Sequence, residues 1–140
     1  MKNIIFIILF VSAFTSFAQK TSRETISSAR GTTITLKITE QYDGSIDTVF
    51  MMMGQNYMYS RIIDNVIVKS GTAHALYDLL NQCIRFIPEK DGSSLEYNGN
   101  TLFINGKQIA IFGSGYDDQK CILLNKAAIV KFQTDLKNYL

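Results

Sequence analysis

Two Asn-Gly pairs, Asn98-Gly99 and Asn105-Gly106, constrain the local architecture of this chain more tightly than anything else in it. A type I′ turn needs positive φ at both central positions, which Asn and Gly tolerate and most residues do not. Each pair predicts a two-residue hairpin. Together they cut Ser94–Tyr97, Asn100–Ile104 and Lys107–Phe112 into a three-stranded antiparallel meander. Gly113 to Gln119 reads as a polar loop and Lys120 to Leu124 as a further strand. Asn125 caps a closing helix with Ile129, Phe132, Leu136 and Tyr139 or Leu140 inward.

The first half follows a similar plan. From Thr32 to Glu40, Ile34, Leu36 and Ile38 alternate with Thr33, Thr35, Lys37 and Thr39, the period of a half-buried strand. Ile46 to Met53 is a second strand, apolar on both faces from Val49 onward. Tyr57 to Ile63 is a third, and Val66-Ile67-Val68 follows. Ser70-Gly71-Thr72 supplies capping chemistry for a helix. Leu76, Leu79, Leu80, Cys83, Ile84 and Ile87 then recur on one helical face until Pro88, the only proline, ends it. Strands followed by one helix, twice over, suggest a (β)n-α duplication, although the halves share little residue identity. The expected fold is α+β: an antiparallel sheet of about six to eight strands with two helices packed on one face.

The chain begins with a short basic start at Lys2, an apolar run from Ile4 to Val11, and small residues from Ser12 to Ala18. Ser16 and Ala18 stand at the −3 and −1 positions of a signal-peptidase site, so residues 1–18 are expected to be a secretory signal peptide. The run is shorter than the roughly 20 apolar residues a membrane helix needs. No cysteine near the cut offers a lipid anchor. Residues 19–31, rich in Ser, Thr and charge, are expected to be a flexible N-terminal segment, and residues 32–140 a single α+β domain. The protein is expected to be exported, to the periplasm or beyond.

An even pair of cysteines in an exported chain favours a disulfide between Cys83 and Cys121. Closing a loop of about 38 residues is worth roughly 4 kcal/mol on the chain-entropy estimate.

Chemistry-bearing motifs are sparse. His74 is the only histidine, and it lies toward the polar side of its helix. Gly113-Ser114-Gly115 has its glycines adjacent to the serine, not two residues away as a nucleophile elbow requires. Two cysteines and one histidine at these spacings form no zinc pattern. Asp117-Asp118 lacks the alternating acidic ladder of a calcium loop. The reading is of a chain without catalytic residues, resident metal or cofactor. The formal net charge is only +2 and no basic stripe occurs, so nucleic acid is not an expected partner.

What remains is surface. Met52, Tyr57, Tyr59 and Arg61 are residue types enriched at interfaces. They are predicted to form a binding face on the side of the sheet away from the helices, for a protein partner or a second copy. The chain thus reads as a small exported, non-enzymatic interaction module, of inhibitor or immunity type. The alternative is a small-ligand or copper carrier, because Met51, Met52, Met53 and Met58 crowd one hairpin and thioethers select Cu(I).

Overall fold

The computed structural model describes residues 19–56, 65–113 and 120–140. The fold is α+β, built as two four-stranded antiparallel sheets, each strand paired with its sequence neighbour and each sheet followed by one helix. Sheet A runs β1 (Lys20–Ala29), β2 (Thr32–Glu40), β3 (Ile46–Gln55) and β4 (Asn65–Gly71), followed by α1 (Ala73–Phe86). Sheet B runs β5 (Ser94–Tyr97), β6 (Asn100–Asn105), β7 (Gln108–Phe112) and β8 (Cys121–Asn125), followed by α2 (Lys126–Leu136) and a 3-10 turn at Lys137–Tyr139. Among the described residues there are eight strands, divided between two sheets rather than gathered in one.

The flexible lead-in expected for residues 19–31 is not found. Lys20–Ala29 is a strand paired along its length with β2, with a bulge between Thr25 and Ser27. The chain reverses at Arg30-Gly31, both at positive φ, which is the I′ pattern. Ser and Thr on both faces left no apolar alternation to read, and Arg is not a residue expected at such a turn. The predicted signal peptide, residues 1–18, lies outside the described residues, as does the predicted strand Tyr57–Ile63. Among the described residues no helix is long and apolar enough to cross a membrane.

The second meander forms where the Asn-Gly pairs place it. Asn98 and Gly99 both have positive φ. The next turn is shifted by one residue: Asn105 pairs with Gln108, so Gly106-Lys107 is central. Only Gly106 has positive φ there, the pattern of a II′ turn.

One core serves both halves. Ile34, Phe50 and Met52 of sheet A, Leu102, Ile111 and Ile122 of sheet B, Leu80 of α1 and Phe132 of α2 belong to a single buried cluster. Fully burying each such side chain stabilises by about 1.5–3 kcal/mol. Both helices start on side-chain caps. Thr72 Oγ1 accepts from the Ala75 N–H at 3.1 Å and Asn125 Oδ1 from the Ala128 N–H at 3.0 Å, each cap worth about 1 kcal/mol.

The sheets meet along a seam of buried amides. Asn100, at the start of β6, donates from Nδ2 to the carbonyls of Val68 on β4 (2.6 Å) and Phe112 on β7 (2.8 Å). Asn56 Oδ1 accepts the Cys121 N–H at 3.2 Å. Gly54 lies at the same seam. A Cβ there would stand 2.7 Å from Thr32 Oγ1 and 3.0 Å from Ile122 Cγ2, so only glycine lets the sheets approach this closely.

Candidate functional site

The most enzyme-like cluster among the described residues joins β1 to α2. Ser27, buried, donates to Asp135 Oδ2 at 2.5 Å. Lys131 Nζ donates to Ser27 Oγ at 3.1 Å and to Asp135 Oδ2 at 2.7 Å. A nucleophilic serine needs a base that takes its proton. Here the lysine is a donor to the hydroxyl, and the proton already rests against a carboxylate. Hydrogen bonds from Lys131 and then Ser27 hold the Asp135 carboxyl below the usual carboxylate range. The trio clamps the end of β1 to the helix. The bulge before Ser27 turns its side chain to the core side, where the register sets it opposite Ile34.

The sequence-predicted binding residues are not brought together on one face. Met52 is wholly buried in the core (0% exposed), opposite Ile34 in the β2–β3 register. Its neighbours Met51 and Met53 take the other side of the strand, because successive strand side chains alternate. Tyr57, Tyr59 and Arg61 lie outside the described residues. The run Val49-Phe50-Met51-Met52-Met53 is apolar at every position, so its parity could not be read from periodicity. Pairing with Ile34 and Leu36 decides it.

The outer face of sheet A is therefore a different set of residues. Across the strands its rows read Arg23–Lys37–Val49, Thr25–Thr35–Met51–Ser70 and Ser28–Thr33–Met53–Ile67. Both helices and sheet B share their core with the opposite face. Val49 is 36% exposed and Ile67 50%. Met51 is buried but does not belong to the core cluster, consistent with the outer face. Arg23 and Lys37 stand directly opposite one another across the β1–β2 pair. Like charges so placed repel. The signal that could have found this face is the Thr33, Thr35, Lys37 alternation of β2, which assigns everything paired with it.

The expected Cys83–Cys121 disulfide is not formed; both are buried free thiols. Strand alternation explains why. Ile122 and Leu124 of β8 face the core that holds Cys83, whereas Cys121 takes the opposite face of sheet B, beside Phe112 in the register. Burial pushes the Cys83 thiol up to about 12 and raises that of Cys121.

Fold and surface together define an α+β protein of two ββββα units around one core, with Val49 and Ile67 exposed on the outer face of sheet A among the described residues. Comparison with known proteins adds nothing to that class: no family model matches the chain, and no curated protein or solved structure is significantly similar to it.

Proposed function

We propose that this chain is an exported, non-enzymatic interaction module, of inhibitor or immunity type, which binds a protein partner through the outer face of sheet A. The supporting observation is the pairing on that face of exposed apolar Val49 and Ile67, flanking Met51 and Met53, with the directly opposed cations Arg23 and Lys37. An apolar strip beside the Arg23–Lys37 pair suits a partner that presents an apolar ridge next to acidic side chains. Tyr57, Tyr59 and Arg61 follow β3 in the chain and are proposed to extend the same surface.

The test is recovery of the protein with its partner from the exported fraction. Val49→Lys combined with Ile67→Lys should abolish co-elution without changing the melting temperature, and Tyr57→Ser with Tyr59→Ser should weaken it. Co-elution that persists in all of these variants contradicts the reading. Binding should also weaken as salt rises from 50 to 500 mM, since exposed charge pairs are screened over about 10 Å at 0.1 M.

A second reading draws on Met51 and Met53 sharing one face of β3. Two thioethers there, with Met58 as a third, would suit Cu(I); Met52, in the core, is not available to it. Mass-detected uptake of one Cu(I) that disappears in Met51→Leu/Met53→Leu supports this reading. Uptake that survives in the variant, or none in the parent protein, ends it.

A further inference from the structure

We propose that the free edge of β1 pairs with β1 of a second copy of this chain, antiparallel and in a single register centred on Ser22, so that two sheets A join into one eight-stranded sheet. This edge adjoins the outer face proposed above and shares Arg23 with it, but the pairing does not depend on that reading.

Among the described residues β1 pairs with β2 alone, which leaves its other edge with unpaired N–H and C=O groups. An edge of this kind is a template for another strand. Residues Lys20 to Thr25 are all exposed, and the bulge between Thr25 and Ser27 ends the regular stretch. Beyond it, Ser27 is locked to α2 by Asp135 and Lys131. Lys20, Arg23 and Glu24 make no side-chain hydrogen bond or ion pair among the described residues.

Charge order selects both the occupant and the register. Two identical antiparallel strands that keep their sheet faces continuous are related by a two-fold axis perpendicular to the sheet. The axis must then pass through a residue, because a half-step register would set the core side of one copy against the outer side of the other. Centring on Lys20, Arg23 or Glu24 places that charge against itself, which is unfavourable. Centring on Thr21 leaves Glu24 without a paired position inside β1, and centring on Thr25 drives the bulge into the pair. Centring on Ser22 sets Lys20 against Glu24 of the second copy twice over, and Arg23 against Thr21 twice over. Whichever alternate set of backbone groups points outward, this register closes hydrogen-bonded rings, because it pairs even residues with even and odd with odd.

Charges and a bulge on an edge commonly protect it from indiscriminate pairing. Here their order favours one register, the only one in β1 that pairs Lys20 with Glu24. The paired stretch is short, well under the roughly 1,200 Å² of a standard stable interface. Dimerisation is thus expected at tens to hundreds of micromolar, as on a crowded surface or in a confined compartment.

Sedimentation velocity on the purified protein, from about 5 to 500 µM, reads the self-association. A concentration-dependent dimer is expected. Lys20→Glu should raise its dissociation constant about tenfold, since both symmetric ion pairs turn repulsive. Lys20→Glu with Glu24→Lys should restore it. Ser22→Cys should give a covalent dimer under mild oxidation, and Arg23→Cys should not. A monomer throughout the range, or a crosslink that forms equally at both positions, overturns the proposal. Val49→Lys leaves this dimer intact, so failure of the outer-face reading and failure of this one are told apart.

Discussion

Asn100 shows how much a single amide can hold. Its Nδ2 donates to two backbone carbonyls on different sheets, and the residue is fully buried. Removing it strands both carbonyls away from water, at about 1–3 kcal/mol for each unsatisfied group. Asn100→Ala should therefore lower the unfolding free energy by about 2–4 kcal/mol in urea titrations. Asn100→Asp should cost more, because a carboxylate has no donor to offer and is itself buried; equal stability of the three proteins would refute the seam. Gly54→Ala should cost about 1–3 kcal/mol for a different reason, the overpacking of a Cβ against Thr32 and Ile122. Asp135 carries a pH signature. Its carboxyl is lowered in the folded protein, so its contribution is present above the unfolded value of about 3.9 and is lost as pH falls through the lower folded one. Acid titration of stability should show a decline below about pH 5 that is shallower in Asp135→Asn.

At the level of elements, the two thiols separate α1 from β8. Cys83 lies in the helix face against the core and Cys121 on the far side of its strand. At pH 8 both should be unreactive toward a thiol reagent in the native protein, and both should react after unfolding in urea without reductant. A single mass two units below the reduced value would instead mean a disulfide. With its thiol raised to about 12, Cys83 adds stability that is intact below about pH 9 and fades as pH climbs from there toward 12. Legibility in sequence follows from the same alternation. β2, α1 and the meander after Ser94 were plain because one face of each is apolar and their turns carry Asn, Gly or Pro. β1 was hidden, since Ser, Thr and charge give a strand paired on one edge no hydrophobic period. β3 was visible as a strand, but not the side its methionines take. The parity of Val49 through Met53 comes from its partner β2, a tertiary fact: Met52 takes the core side and Met51 and Met53 the other. The disulfide failed likewise, because a cysteine count carries no information about which face a strand residue occupies.

For the whole molecule, the single core makes the two ββββα units interdependent despite their repeated plan. Sheet A, sheet B and both helices contribute to one buried cluster. Unfolding should be one cooperative transition, with tyrosine fluorescence and far-ultraviolet circular dichroism coinciding; two separated transitions would mean independent halves. The same closure of one face of sheet A leaves exposed Val49 and Ile67 on its outer face, in rows with Arg23, Lys37 and Met53. That asymmetry is the basis of the proposed function. Photo-crosslinking tests it most directly, with a benzophenone amino acid placed at Val49 on the outer face or at Val130, exposed on α2. In the cell fraction that holds the native protein, position 49 should yield a discrete adduct with another protein, and position 130 should not. No adduct at 49, or the same adduct from both positions, would contradict the account.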